Sequence, residues 1–277
     1  MEQKPPAPAN DAASLRRLMR QAAEATLATI AHDHGQVENG WPVASMVQPV
    51  IDIDGTPIIL ISELADHTRH IHHDPRISLM FRPGPMQQGA ITSTAAPSTA
   101  PTVSQTPVPA PNALPVTDTQ RLTIFGRASR VKDTRIQNRY LAIQPEAGLY
   151  AGFADFGFYR VDVEAAYWVG GFGKQRRLRG DQLCCSDCAD LITGHDALIA
   201  DLNKTRSALI AQIAHLHLPG AGDSETGWKV VAIDCDGANF TCNDTVWRID
   251  FPHTIGRVEE AQNILVKIGQ KGNETPA

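Results

Sequence analysis

The chain has 277 residues, with 25 Lys and Arg against 30 Asp and Glu, so the formal net charge is −5. A general polyanion-binding protein normally carries a basic excess, so this balance excludes that class and argues against nucleic acid as a partner. No run approaches the roughly 18 apolar residues that a membrane span needs, so no membrane partner is expected. The N-terminus lacks a basic start followed by an apolar core, so we expect no signal peptide and a cytoplasmic protein.

The first third of the chain predicts a helix followed by strands. Apolar residues at helical spacing predict a first helix over 14–25. Runs rich in Val, Ile and Leu then predict strands, and Asp54-Gly55 predicts the hairpin turn between two of them. A short helix is expected over 65–73, because an Asp-Pro pair stops it, and a strand over 77–81 follows.

Residues 83–117 contain no charged residue and eight prolines. This Pro-, Ala-, Thr- and Ser-rich composition offers too little bulky apolar surface to offset the entropy of ordering the segment. We therefore interpret 83–118 as a disordered insertion between two strands, and 1–10 as a disordered N-terminus.

Beyond the insertion, the pattern predicts a strand over 122–131 with a bulge at Gly126, a helix over 134–143, and strands over 159–163 and 166–170. Antiparallel strands with helices at the joins indicate a small β-barrel or α+β fold.

The composition shifts near the cysteine-rich segment CCSDC. After it come a predicted helix over 195–216, a three-stranded meander and a closing helix over 257–268. We expect this part to be a second, small α+β domain.

Three segments together resemble one family. LISELADHTRHIHHDPRISLMF is similar to the strand–helix–strand of flavin-binding split barrels of the pyridoxamine 5′-phosphate oxidase-like superfamily. PEAGLYAGFADFGFYRVDVEAAYWVGGFGK, with the opening LMRQAAEATLATI and WPVASMV, resembles the haem-utilisation (HugZ-like) branch more narrowly. IADLNKTRSALIAQIA and AIDCDGANF resemble the small domain of unknown function that is often fused to that branch.

The resemblance implies an antiparallel split β-barrel of the FMN-binding type over 11–82 and 119–178, followed by a small α+β domain over 187–270. It also implies a homodimer with the cofactor site at the subunit interface. Members of the family bind FMN, or bind and degrade haem, so FMN is the first expected cofactor and haem the alternative.

Ser62 ends a predicted strand, and His67, Thr68 and Arg69 lie in the first turns of the helix that follows. Hydroxyl and guanidinium donors around a helix start suit a phosphate, and in the resembling flavoproteins the corresponding strand end and helix start hold it. The usual Arg-Lys pair of the family is not found here. The alternative is that Ser62 and Thr68 cap the helix and Arg69 is solvated.

Two further regions are candidate cofactor contacts. In the family, the strand that here holds Ala44, Ser45 and Met46 runs beside the flavin ring, although the residues alone indicate an ordinary barrel strand. Around Phe172, three glycines in four positions permit close backbone approach to a ligand, and Lys174 and the arginines after it could hold haem propionates or a phosphate. The alternative is a turn and a solvated linker.

The histidines suggest a weaker hypothesis. His67, His70 and His73 share a helix face at i, i+3 spacing and could ligate iron or zinc as neutral imidazoles, with a surface helix as the alternative. In the C-terminal domain, the family's two histidine positions hold Asp201 and Arg206, so we expect no metal or haem role for that helix.

Cys185-x-x-Cys188 together with Cys235 and Cys242 could form a four-thiolate zinc site. Six residues separate the second pair, more than the usual two to four, and free thiols in a cytoplasmic chain are the alternative. We therefore name no metal ligand set from the sequence.

Asp155 lies between Phe153 and Phe156, where its carboxylate is either partly desolvated or a turn residue. No nucleophile–base pair accompanies it, so no catalytic residue is named.

Three functions stay open at this point. An FMN-binding, oxidoreductase-like protein ranks first, on the residues from Ser62 to Arg69. A haem-binding or haem-degrading protein of iron utilisation ranks next, on the FADFGFYR and GGFGK blocks. A non-catalytic module that lost its cofactor site is the third, because fold alone does not give a reaction.

Overall fold

A computed structural model of the chain describes residues 11–82, 120–171, 173–218, 227–242 and 245–270. The predicted N-terminal tail over 1–10 and the predicted insertion over 83–118 lie outside these residues, as does Phe172.

Strands and helices alternate along the chain. The strands are β1 (Ala25–Ile30), β2 (Pro42–Val47), β3 (Val50–Ile51), β4 (Pro57–Ser62), β5 (Arg76–Phe81), β6 (Arg121–Val131), β7 (Phe156–Val169), β8 (Gln175–Arg179), β9 (Lys229–Asp234), β10 (Gly237–Cys242) and β11 (Thr245–Asp250). The helices are α1 (Ala12–Gln21), α2 (Asp66–His73), α3 (Thr134–Ile143), α4 (Gly180–Leu183), α5 (Ala189–Thr205), α6 (Ser207–His217) and α7 (Val258–Gln270), with a 3₁₀ helix over Pro145–Leu149.

The first eight strands form one antiparallel sheet in the order β2-β1-β5-β6-β7-β4-β3, with β8 also paired to β7. The long strand β7 connects the parts of this sheet: it pairs with β6 along its length, with β4 over its first half and with β8 over its second half. The sheet curves around a core that includes Leu27, Leu79, Ile124 and Val161. The predicted split barrel is therefore confirmed.

Two expectations about this sheet need correction. The strands predicted over 159–163 and 166–170 are one strand, because β6 pairs with both of them while β4 pairs with the first part of β7 and β8 with its last part. The basic segment after Lys174, expected as a loop, is the strand β8. The predicted bulge at Gly126 is confirmed, because the register shifts there and a Cβ on Gly126 would lie 2.3 Å from the Asp162 carbonyl oxygen.

Helix α1 packs against the barrel core through its apolar face. Its residues Leu15, Leu18 and Met19 are buried, and the Asp11 side chain caps the helix by accepting from the Ser14 amide at 2.7 Å. The helix ends at Gln21, earlier than predicted, because β1 begins four residues later.

The C-terminal part has its own core and its own sheet, β11-β10-β9. The three-stranded meander is confirmed, and α7 follows it. The helix predicted over 195–216 is instead two helices, which meet at Arg206, a residue with φ −129°. A split barrel followed by a small α+β domain is thus the fold class of the chain.

None of the helices in the described ranges is both long and apolar enough to cross a membrane.

Candidate functional site

The junction of β4 and α2 holds the predicted phosphate-binding side chains, and each already has a partner. The Ser62 hydroxyl donates to the Asp155 carboxylate at 2.7 Å, and the Thr68 hydroxyl donates to the Ser62 carbonyl oxygen at 2.6 Å. Arg69 forms an ion pair with Asp66 one turn back in the helix. These contacts tie the strand end to the helix start and put a carboxylate where a phosphate would need donors.

Asp155 has a clear local role. Its carboxylate holds Ser62, and its carbonyl oxygen accepts from the Glu63 amide at 2.6 Å. It therefore joins the turn before β7 to the end of β4, as the turn-residue alternative anticipates.

Histidines from α2 and from the β1–β2 connection gather on the inner side of β1 and β2. His67 Nδ1 lies 3.2 Å from Ser45 Oγ, and His70 Nδ1 lies 2.9 Å from Thr29 Oγ1. The His34 ring lies 5.7 Å from the His70 ring. One nitrogen of each of these three rings is buried without a hydrogen-bond partner.

The surroundings favour neutral imidazoles in this cluster. Burial and the neighbouring His70 lower the pKa of His67, and burial and the neighbouring His34 lower the pKa of His70. Within the described ranges, however, no three of these histidines bring nitrogens within 4.8 Å of one another. The predicted grouping of His67, His70 and His73 on one helix face does not form a single cluster. The His73 ring instead stacks on His32, with ring centroids 3.4 Å apart.

The glycine-rich segment forms the tight turn between β7 and β8. The Gly170 amide donates to the Lys174 carbonyl oxygen at 2.9 Å, and Gly171 and Gly173 have positive φ angles of 116° and 76°. A Cβ on Gly170 would lie 2.1 Å from the Trp168 ring. The glycines are therefore required by the turn and by Trp168 packing, as the turn alternative anticipates.

The same turn borders a cleft of about 340 Å³, near the lower end of the range for ligand sites. Its floor is the outward side of β6, β7 and β8, and Arg177 lies over the Tyr167 ring at 5.3 Å. The lining residues are Arg121, Thr123, Tyr167, Val169, Gly171, Gly173, Lys174 and Gln175. The sequence pattern indicates only the turn, because the residues opposite it become neighbours only through the β6–β7–β8 register.

An uncharged surface extends from this cleft across the sheet to β2. Met46 is 65% exposed, Phe125 is 46% exposed, and Ala44 lies on the same side of β2 as Met46. Two rows of cross-strand partners make up this outer sheet face: Met46, Thr26, Met80, Thr123 and Tyr167 in one, and Ala44, Ala28, Ser78, Phe125 and Ala165 in the other.

The structure therefore divides the predicted cofactor contacts that it describes among four places, the first being the β4–α2 junction with Ser62, Thr68 and Arg69. Ser45 and His67 are together in the histidine cluster, Ala44 and Met46 are on the outer sheet face, and Lys174 is at the cleft. Their roles toward a cofactor stay predictions.

A split barrel with a fused α+β unit is the class of fold that the structure defines. The chain belongs to the CREG β-barrel family, whose profile matches residues 6–183. The split-barrel fold that the sequence resemblance implies is confirmed.

One curated relative is the chloroplastic non-canonical heme oxygenase HOZ of Arabidopsis thaliana. It is 24% identical to this chain over 254 residues, which are 85% of this chain and 66% of the relative. The chain thus spans slightly less than two thirds of that protein.

Two solved structures are similar to the chain. The protein Atu2129 of Agrobacterium tumefaciens, of unknown function, has a TM-score of 0.61 and 22% identity, covering 96% of this chain and 98% of its own. A heme-binding protein of Mycobacterium smegmatis has a TM-score of 0.46 and 22% identity, covering 99% of this chain and all of its own. The first of these shows that the barrel and the α+β unit occur together in another protein.

Proposed function

We propose that this chain is a cytoplasmic, homodimeric haem-binding protein whose cofactor lies at the cleft beside Lys174, where the outer sheet face ends. The observation that carries the proposal is the combination of a cationic cleft with a continuous uncharged surface. Haem has a large apolar macrocycle and two carboxylates, so it needs apolar contact area with cations at one edge. Lys174 provides a cation at that edge.

The donor set also supports haem over FMN. An FMN phosphate needs donors that are available to it, and the hydroxyls of Ser62 and Thr68 and the guanidinium of Arg69 are engaged within the protein. The cleft instead offers the Lys174 ammonium to a carboxylate. This donor chemistry reverses the ranking that the sequence favours.

FMN is the second candidate. The Ser45–His67 contact links β2 to the start of α2, the two elements that the split-barrel resemblance assigns to flavin binding. An FMN site here requires Ser62 to exchange Asp155 for the phosphate.

Degradation of the bound haem is the activity that we propose to follow from binding, because the curated relative is a heme oxygenase. Bound haem would supply the iron at which oxygen reacts, and the chain's own residues at the cleft would hold and orient its carboxylates. A cytoplasmic setting is supported by the five cysteines, all within the described residues, because none of them forms a disulfide.

An absorption spectrum from 300 to 700 nm tests the proposal directly. The protein is measured as isolated, then with added haem and, separately, with added FMN. We expect a shifted Soret band that saturates at one haem per chain, and little change in the FMN spectrum. A haem titration without a Soret shift overturns the proposal, and saturable FMN binding instead would assign the site to flavin.

A charge substitution locates the site. Lys174→Gln should weaken haem binding about fivefold, the effect of losing about 1 kcal/mol from one exposed charge pair. Lys229→Gln, on an exposed position of β9 in the other unit, is the matched control. Equal haem affinities for the wild type, Lys174→Gln and Lys229→Gln would show that the cleft is not the haem site.

The outer sheet face is the proposed contact surface of the homodimer. A continuous uncharged surface with an exposed Met and Phe marks an interaction site on a soluble protein. Phe125→Asp should convert the dimer to a monomer in sedimentation velocity, because it places a charge at the centre of the contact. Leu149→Asp, at an apolar residue that is 81% exposed elsewhere, should leave the dimer intact. A wild-type monomer at all concentrations would contradict this part.

A further inference from the structure

Three cysteines from two separate segments meet at the base of the C-terminal unit. The sulfur atoms of Cys185, Cys188 and Cys235 all lie within 4.8 Å of one another. Cys185 follows α4, Cys188 precedes α5, and Cys235 lies between β9 and β10. Cys188 and Cys235 are buried, and Cys185 is partly exposed.

The backbone fixes these sulfurs through the β3–β4 hairpin of the barrel. The Cys185 amide donates to the Asp54 carbonyl oxygen at 2.7 Å, and the Cys235 amide donates to the Ile53 carbonyl oxygen at 3.1 Å. The Cys188 carbonyl oxygen accepts from the Ile192 amide at 2.8 Å, in the first turn of α5. Ile53 and Asp54, adjacent in one hairpin, thus bind the backbone at Cys235 and at Cys185. The fold itself therefore brings these two cysteines together.

The other two cysteines do not join the cluster. Cys242 ends β10, about 17 Å along the strand from Gly237 at about 3.3 Å per residue, so the predicted four-cysteine set is not assembled. Cys184 is next to Cys185 in sequence but lies outside the group of three.

The charge around the cluster suits thiolates. Arg20 Nη2 lies 3.8 Å from Cys235 Sγ, which also donates to the Asp236 carboxylate at 3.4 Å, and that carboxylate is itself paired with Arg16 and Arg20. Three thiolates around a divalent cation carry a net charge of −1, which a neighbouring guanidinium balances.

We propose that Cys185, Cys188 and Cys235 bind a zinc ion as three thiolate ligands. Three thiols each release one proton on binding, and Zn²⁺ undergoes no redox change. Zinc is tetrahedral, so three protein ligands leave a fourth position for water or another small ligand, on the side of the partly exposed Cys185. Because Ile53 and Asp54 belong to the barrel, the ion would join the barrel to the C-terminal unit.

Metal content and a cobalt titration test the site in the full chain. The reduced protein is analysed for zinc as purified, then stripped with a chelator and titrated with Co²⁺. We expect one zinc per chain and a thiolate-to-cobalt charge-transfer band that saturates at one equivalent. A reduced, folded wild-type chain that gives no such band overturns the proposal.

Matched cysteine variants assign the ligands. Cys188→Ser should lose the charge-transfer band, whereas Cys184→Ser, four residues away in the same segment, should keep it. If Cys188→Ser does not fold, Cys185→Ser at the more exposed position carries the same test. A band that survives both ligand substitutions contradicts the assignment. A Cys185–Cys188 disulfide in freshly purified protein, seen as a mass lower by two hydrogens and without bound zinc, also contradicts it.

Discussion

The guanidinium of Arg16, in the first helix of the barrel, holds the carboxylate of Asp236 in the β9–β10 turn through two hydrogen bonds of 2.7 and 2.6 Å. Both side chains are almost fully buried. Arg20, one turn further along α1, donates to the same carboxylate at 2.7 Å and pairs with Asp234 at 3.2 Å. Helix α1 therefore has two faces, one that packs into the barrel core and one that binds the C-terminal unit.

Breaking this pair should be costly. Arg16→Ala leaves a buried carboxylate with one guanidinium fewer, and we expect a loss of about 3 kcal/mol in the free energy of unfolding. Urea denaturation followed by circular dichroism measures it. Arg17→Ala, which removes the half-exposed pair with Asp250, should lose less than about 1 kcal/mol. Equal losses in the free energy of unfolding for the two variants would show that the buried pair stabilises the protein no more than the half-exposed pair does.

The carboxylates of this interface should make the protein sensitive to strong acid. The guanidiniums of Arg20, Arg248 and Arg139 hold the pKa of Asp234 far below its usual range, and Arg135 and Arg139 lower that of Asp52. Because both pKa values are depressed on folding, the unfolded chain binds the protons first, and stability is lost as the pH falls below about 4.

Denaturation midpoints measured from pH 7 to pH 2 check this sign. Asp234→Asn should lower the midpoint at pH 7 and flatten its fall below about pH 4. Asp181→Asn, which removes an exposed pair with Arg179, should reproduce the wild-type curve. A wild-type midpoint that rises as the pH falls below 4 would contradict the assignment.

The buried histidines predict a second, earlier loss. Burial lowers the pKa of His70 and of His195, so both stay neutral in the folded protein. The unfolded chain gains their protons below about pH 6.5, and stability should therefore begin to fall there. His70→Asn should reduce the slope between pH 7 and pH 5, with the exposed His215→Asn as the surface control. An unchanged slope in His70→Asn would contradict the prediction.

A close backbone approach predicts one intolerant glycine. A Cβ on Gly180, at the start of α4, would lie 1.8 Å from the Val163 carbonyl oxygen in β7. Gly180→Ala should therefore cost about 2–3 kcal/mol by forcing α4 away from the sheet. Gly148→Ala, where a Cβ meets nothing within 4 Å, should change the free energy of unfolding by less than about 0.5 kcal/mol. Thermal melts of both variants measure the two losses, and similar losses for Gly180→Ala and Gly148→Ala would contradict the prediction.

Most of the fold could be predicted from local patterns. The β3–β4 turn at Asp54-Gly55 and the bulge at Gly126 each have a local chemical cause, so they are visible in the sequence. The fact that the two predicted strands are one strand, β7, is not visible in the sequence. It depends on β4 pairing with the first part of β7 and β8 with the last part. Strand β8 was missed for the same reason: its residues are mostly basic and exposed, and its pairing with β7 makes it a strand.

The site was less predictable than the fold. Donor chemistry at Ser62 and Thr68 is visible in the sequence, but their partners are set by Asp155 in a distant turn and by the local backbone. His34 was missed as a member of the histidine cluster, although it alternates with His32 after β1. The pairing of Arg16 with Asp236 spans 220 residues and has no sequence signal without the fold.

The β3–β4 hairpin has a consequence for cooperativity. Its Ile53 side chain belongs to the core of the C-terminal unit, and its carbonyl oxygen holds Cys235. A fragment containing only the C-terminal unit would keep Arg248 beside Asp234 but would lack the Ile53 side chain and the barrel residues Arg16, Arg20 and Arg139. The two units should therefore unfold in a single transition. They are separate in chain topology, but neither is expected to be stable without the other.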